Sequence, residues 1–429
     1  MTASTFTTIF LAAVALTLAL ELWLAARHIA HVRRHRDAVP AAFAGRIGVD
    51  AHRKAADYTV ARTRLAIASS IAGTILLVAL TRGRGVAFLT GLTGLAGTSP
   101  LLQDLLLVVA VALVAALVSL PFSAYATFAI EARYGFNRTT PRTWLADLAK
   151  GALVAALLGL PLAALLIALV RWAGDLWWLW AWVAWIGFQL LLFVLYPTLI
   201  APLFNTFTPM PEGPLRTRIE ALLARCGFAS RGLWLMDGSR RSSHGNAYFT
   251  GLGRAKRIVM FDTLVARLSP EETEAVLAHE LGHYKLAHIA KRLAWSAAAS
   301  LAVFALLAWL MRSDWFYTGL YVPASPDRPG VALVLFFLVL PVFTFLLAPL
   351  ASWYSRRHEY EADAFAAKHA SAGAMVSALV RLYEDNAATL TPDPLHSAFH
   401  DSHPPAGLRI ARLEALVRVP ASSAVPEGA

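Results

Sequence analysis

The stretch "VLAHELGHYKLAH", residues 276–288, sets His279 and His283 four positions apart with Glu280 directly after the first. On a helix that spacing is about one turn, so both imidazoles point the same way and can reach a single Zn²⁺. Glu280 then lies where a carboxylate can take a proton from a water attacking a peptide carbonyl. A chance match of three fixed positions in a structural helix is the competing reading. It loses weight because the helix is signalled independently. Ser269 suits the N-cap, Pro270 the first helical position, and Glu272, three residues after the cap, completes a capping box.

Two imidazoles leave zinc under-coordinated, so a third protein ligand must come from elsewhere. A metzincin would carry Gly at 286 and His at 289; here they are Leu286 and Ile289, which excludes that class. His288 is five residues past His283, rotated off the metal face, and reads as a surface residue or a support for a ligand. The stretch "SRRHEYEADAFA", residues 355–366, is the better source. Glu359 and Asp363 fall one turn apart on one face, which suits one carboxylate ligand and a second carboxylate that accepts the N–H of a ligand His. Alone, such a cluster is usually a solvated charged face; opposite a zinc helix it becomes the other half of a site. Glu361 and His358 point elsewhere on the wheel and stand in reserve.

The elements that must position these residues sit in a chain built for lipid. Of 429 residues 58% are hydrophobic and 15% charged, outside the range of ordinary soluble domains. Apolar runs long enough to cross a bilayer occur at 5–26, 64–81, 104–128, 151–170, 177–198, 293–311 and 331–352. The expected fold is mainly α, with seven transmembrane helices. Trp177, Trp178, Trp180 and Trp182 suit an interfacial belt or a buried helix face.

The first run has no basic segment before it, so it reads as a retained helix with its N-terminus outside. Nine Lys or Arg lie from Arg27 to Arg64, and Arg133, Arg138, Arg142 and Lys150 follow the third span, whereas the alternate loops are nearly free of them. This bias places the catalytic segments and the C-terminus in the cytoplasm. It also accounts for the net charge of +11 without a nucleic-acid surface. The charged helix around HELGH, with Glu271, Glu272, Glu274 and Lys285, can at most lie at the membrane surface.

The chain thus divides into helices 1–5 with their loops (1–198), a first polar segment (199–292), a helical hairpin (293–352) and a second polar segment (353–429). The two polar segments are expected to pack as one module. Within the first, "NAYFTGLG" followed by "RIVMFDTL" reads as a small β-hairpin. Cys226, the single cysteine, excludes an intramolecular disulfide and reads as packing. The tail "VPASSAVPEGA" reads as disordered.

With HELGH and EYEAD assembled, the chain resembles the type I CAAX prenyl endopeptidases, integral membrane zinc proteases related to the heat-shock protease HtpX. "HRKAADYTVARTRL" (52–65), "YGFNRTTPRTWLADLAKG" (134–151), "YPTLIAPLFNTFTPMPEGPL" (196–215), "SSHGNAYFTGLGRAKRIVMFDTL" (242–264) and "DSHPPAGLRIARL" (401–413) carry the resemblance over nearly the whole chain. It implies a hollow α-barrel of seven helices around a water-filled chamber, joined to a cytoplasmic gluzincin-like module. It implies one Zn²⁺ held by His279, His283 and Glu359, with Glu280 as base. It further implies that an extended peptide pairs with the edge strand at Asn246, Ala247 and Tyr248.

His403, in "SHPP", is the candidate donor to the developing oxyanion. Arg409 can pair with Asp363, Glu359 or a lipid phosphate. The implied partners are membrane lipid and a peptide or protein substrate, with a prenylated C-terminal tail as its most specific form. The Ala- and Arg-rich composition suits a GC-rich bacterium and its inner membrane. Membrane-protein quality control would use the same residues on unfolded segments. A transporter or scaffold with structural zinc is the non-enzymatic alternative. Few ionisable residues (Glu21 is one) lie within the spans, which counts against transport.

Overall fold

The computed structural model describes residues 1–228, 232–250, 257–325 and 327–418. The glycines expected to turn the β-hairpin, Gly251 and Gly253, and the tail expected to be disordered lie outside these residues. Among the described residues seven helical segments are long and apolar enough to cross a membrane. They are α1 (Ala3–Arg34), α2 (Val49–Leu80), α4 (Pro100–Tyr125, continued by a π-helical turn to Glu131), α5 (Pro141–Trp172), α6 (Trp177–Leu195, continued to Phe204), α11 (His288–Met311) and α13 (Pro329–Thr344). A short apolar helix not anticipated from the sequence, α3 (Gly85–Gly94), joins α2 to α4. Each expected span is present, and most helices run beyond their apolar windows because polar ends continue the helix outside lipid. The second is the clearest case, since "VDAHRKAADYTVARTR" forms its first half.

Among the described residues two large cores, one at each end of the helices, hold the chain together beside two small clusters around α2. The first gathers Phe6, Phe10, Leu80, Val86, Leu107, Ile167, Trp177, Phe316 and Val331 from the ends of the spans remote from HELGH. The second lies in the polar module and includes Ile219, Leu222, Ile258, Met260, Leu277, Leu281, Met375 and Ile410. Between them the helices bury little. Only 6% of the most apolar window of the α4 segment is buried, and none of that of the α6 segment. Helices packed into a solid bundle would hide an inward face; the α4 and α6 segments expose both faces, as the walls of a hollow barrel do.

The remote end is tied by charge. Asp104 of α4 is fully buried and accepts hydrogen bonds from Arg171 Nη2 of α5 (2.9 Å) and Arg328 Nε before α13 (2.6 Å). Gly330 permits this approach, since a Cβ there would meet the Asp104 side chain at 2.6 Å. Asp104→Asn leaves two guanidinium groups without their shared anion and is expected to lower stability by about 3–5 kcal/mol. Thermal unfolding in detergent checks this, and an unchanged midpoint would show that the cluster does not hold the barrel end. The Trp cluster divides: Trp177 is buried in this end core, Trp182 donates to Ala297 O of α11 at 3.0 Å, and Trp180 is exposed.

The polar module begins with α7 (Ala201–Phe204) and β1 (Phe207–Pro209), then α8 (Pro214–Arg225), β2 (Leu233–Met236), β3 (Ala247–Thr250), β4 (Arg257–Phe261), α9 (Asp262–Val265) and α10 (Pro270–Lys285). After α12 (Asp314–Thr318) and α13, the chain re-enters the module through α14 (Ala348–His369), α15 (Ala372–Asp385), α16 (Pro394–His400) and α17 (Ala406–Arg418). The two polar segments do pack as one body, with residues from 210–281 and 366–413 in the same core. The sheet order is β1-β2-β4-β3, with β3 antiparallel to β4 as the hairpin reading requires and β2 parallel to β4. The strands β1 and β2 were not anticipated. Cys226 is half-buried against this core, and burial pushes its thiol pKa up, in keeping with a packing role.

The first turns of α5 and the loop ahead of it dock on the module. Arg241 holds Asp147 through Nε and Nη2 (2.7 and 3.0 Å), and Phe136 stacks on His244. The stretches "YGFNRTTPR" and "SSHGN", with Asp147 and Arg241 beside them, therefore form the joint between membrane body and polar module.

Candidate metal centre

Helix α10 starts as its cap predicts: Ser269 Oγ accepts from Glu272 N at 3.2 Å and Glu272 Oε2 accepts from Ser269 N at 2.8 Å. The acidic residues that barred it from lipid are satisfied by protein, Glu272 by Arg381 and Glu274 by Arg218 and Arg225. The helix crosses α14 at Gly282, where a Cβ would stand 3.0 Å from Phe365 Cβ and 3.1 Å from Ala362 Cα. The glycine of HELGH lets the two helices approach closely enough for their side chains to share one site.

At that crossing three ligand-type side chains converge, each imidazole facing a different oxygen of the Glu359 carboxylate. His279 Nε2 and His283 Nε2 are 3.3 Å apart, His279 Nε2 is 3.4 Å from Glu359 Oε2, and His283 Nε2 is 3.3 Å from Glu359 Oε1. A tetrahedral ion with bonds of about 2.0–2.1 Å requires ligand separations of roughly 3.3–3.4 Å. Glu359 Oε2 is also buried without a hydrogen bond of acceptable geometry. His403 Nδ1 lies 2.7 Å from it, outside hydrogen-bonding angles. The donor set and its spacing fit Zn²⁺.

Around this triangle stand the other side chains singled out from the sequence. Asp363 Oδ1 stands 2.9 Å from His279 Nδ1, so the ring can donate its outer N–H and turn Nε2 inward. Arg409 grips Asp363 with both arms, Nε to Oδ2 at 2.8 Å and Nη2 to Oδ1 at 2.6 Å. Its partner is thus Asp363 and not lipid. Burial opposes a charge on His279, but Asp363 and Glu359 outweigh it and hold its pKa up to about 9. The pocket favours a positive charge at this point. Burial raises the pKa of Glu280, with His279 and His283 opposing, so the carboxylate is more basic than a free Glu.

His403 sits on the loop between α16 and α17, largely exposed and facing the triangle. His288 is 1% exposed, which corrects the surface alternative. The reserve residues Glu361 and His358 stay off the triangle and gather with His288 instead.

Strand β3 is an edge strand, paired with β4 alone among the described strands. Phe261 N donates to Asn246 O at 2.9 Å, which fixes the alternation along the pair. The main-chain groups of Asn246 and Tyr248 therefore face β4, while those of Ala247 and Phe249 face the free edge. Of the three residues expected to pair with a peptide, the register leaves Ala247 facing the free edge, with its N–H donating to Asn246 Oδ1 at 2.8 Å. Phe249 is the other residue of β3 whose main-chain groups face that edge. The Tyr248 side chain points into a cavity of about 320 Å³ with Pro197, Pro202, Trp234 and Val259.

A hollow seven-helix membrane body, with a His–His–Glu cluster built on HELGH at one end, defines a membrane metallopeptidase. Residues 28–206 match the family model of the CAAX prenyl protease N-terminal region with five membrane helices, and residues 209–417 match peptidase family M48. The CAAX prenyl protease 1 homolog of Oryza sativa is 38% identical over 75% of this chain and 75% of its own length. CAAX prenyl protease 1 of Saccharomyces cerevisiae is 37% identical over 70% and 69%. The crystal structure of S. mikatae Ste24p aligns with a TM-score of 0.88 at 30% identity, over 95% of this chain and 99% of that one. The chain belongs to peptidase family M48, in the branch of the CAAX prenyl proteases.

Proposed function

We propose that the protein is a zinc endopeptidase that cuts near the C-terminus of prenylated or membrane-associated peptides, on the cytoplasmic side of the membrane. The observation that carries this reading is the triangle of His279, His283 and Glu359, sized for zinc, with Glu280 beside it. Bound there, Zn²⁺ supplies Lewis acidity toward a carbonyl oxygen and acidifies water.

The protein's own groups do the rest. Asp363, held by Arg409, keeps His279 in the tautomer a ligand needs. The free edge of β3, through Ala247 and Phe249, pairs with an extended substrate backbone and fixes its register. Glu280 takes the proton from the attacking water and passes it to the departing amine nitrogen. His403 donates to the carbonyl oxygen as negative charge develops on it. The uncored interior between the two ends gives room for a lipid-modified tail, and the curated relatives are named for that substrate class.

The test is a matched pair of CAAX-type peptides, one farnesylated and one unmodified, with an unfolded membrane segment as a third substrate. Mass spectrometry is expected to show loss of the C-terminal residues, with kcat/KM at least about tenfold higher for the farnesylated peptide, the discrimination that about 1.4 kcal/mol of extra lipid binding gives. Equal or better cleavage of the unfolded segment would assign the protein to quality control.

A further inference from the structure

Buried His288 and His358 and half-buried Glu361 form a cluster against the metal triangle that the mechanism above does not use. Five residues past His283, an uninterrupted helix would carry His288 about 140° round the wheel. The helix is interrupted. Helix α10 ends at Lys285 and α11 begins at His288, with Ala287 between them in the left-handed region at φ +55°. A non-glycine residue held there is strained, and the turn it makes brings His288 Nδ1 to 3.0 Å from His283 Nδ1. On its far side His288 Nε2 is 3.0 Å from Glu361 Oε2, and Arg357 Nε donates to Glu361 Oε1 at 3.1 Å.

The ligand atoms of the three lie close enough together to suggest a second cation site, but the rings exclude it. His288 and His358 are stacked at 4.1 Å, 7° from parallel. An imidazole lone pair lies in its ring plane, and two near-parallel planes at that separation share no point at bonding distance. Only one placement of hydrogens satisfies the row. If His283 presents Nε2 to a metal, its proton is on Nδ1 and His288 Nδ1 must accept it; His288 then carries its own proton on Nε2 and donates to Glu361.

We propose that His288 and Glu361 are positioning residues that lock His283 as an Nε2 ligand, with His358 clamping the His288 ring by stacking. This rests on the reading of His283 as a zinc ligand. The two ligand imidazoles are then held alike: His279 by Asp363 with Arg409 behind it, and His283 by His288 with Glu361 and Arg357 behind it. Loss of such a support typically weakens metal binding 10–100-fold.

The test measures zinc release to a chromophoric chelator from purified full-length protein, with the visible spectrum of the Co²⁺-loaded form as a second readout. His288→Ala is expected to release zinc roughly 10–100-fold faster and to alter the Co²⁺ bands. His288→Asn, which keeps an acceptor for His283 Nδ1, is expected to recover much of the loss. Glu361→Gln should fall between, and His358→Phe, which keeps the stack, should match the wild type.

Wild-type release from both His288→Ala and Glu361→Gln, or two zinc ions per wild-type chain with one lost in His358→Phe, would overturn the proposal. If His288→Ala does not fold, His288→Asn and Glu361→Gln decide it, and wild-type release and Co²⁺ bands in Glu361→Gln overturn it. Failure of the underlying reading looks different: His283→Ala would then hold zinc as tightly as the wild type.

Discussion

Glu280→Gln protein is expected to retain one Zn²⁺ and to lose peptide cleavage by roughly 10²–10⁴-fold, the range a positioned general base contributes. Gln preserves shape and hydrogen-bonding reach but cannot accept the water's proton. Glu280 is not a corner of the ligand triangle, so the metal should stay. The size of the effect follows from its environment. Burial raises its pKa, and a carboxylate with a raised pKa is a stronger base as long as it remains ionised. Peptide hydrolysis assayed on metal-loaded variant, with zinc counted per chain, checks both halves. Wild-type turnover by zinc-loaded Glu280→Gln would remove Glu280 from the mechanism.

Glu359→Ala is expected to abolish cleavage by a different route, through loss of the metal. Two imidazoles cannot complete a catalytic zinc site, and Glu359 contributes the buried oxygens that close the triangle. Affinity should fall by more than the roughly 10–100-fold that loss of a supporting partner costs. Competition against a chelator of known affinity measures it. Zinc binding at wild-type strength in Glu359→Ala would mean that the third ligand lies elsewhere. The contrast with Glu280→Gln matters: one variant should be inactive with metal, the other inactive without it.

How much of this was readable from the residues depends on how local each signal is. HELGH, its Ser269–Glu272 cap and the pairing of Glu359 with Asp363 are patterns within single helices, and the structure builds them as read. The seven spans are equally local, since lipid imposes length and apolarity on each. The partner of Arg409 was open because it sits 46 residues from Asp363 with no pattern linking them; the buried pair forms only when α17 packs against α14.

A continuous helix would turn His288 away from His283, and the sequence shows no break between them. The break falls at Ala287, an alanine at a conformation that glycine usually signals. The strands β1 and β2, three and four residues long, are too short to show alternation, and β2 pairs in parallel with a strand from across the module. The free edge of β3 was expected from the family resemblance, but which residues face it depends on a register that only the Phe261–Asn246 hydrogen bond reveals.

The most direct measurement is cleavage of a farnesylated CAAX-type peptide by purified full-length protein, followed by mass spectrometry alongside zinc content. The account predicts one Zn²⁺ per chain, release of a C-terminal fragment, loss of cleavage when a chelator strips the metal and recovery when zinc is returned. Cleavage that persists in metal-free protein, or zinc-replete protein that cuts no peptide bond, would contradict it.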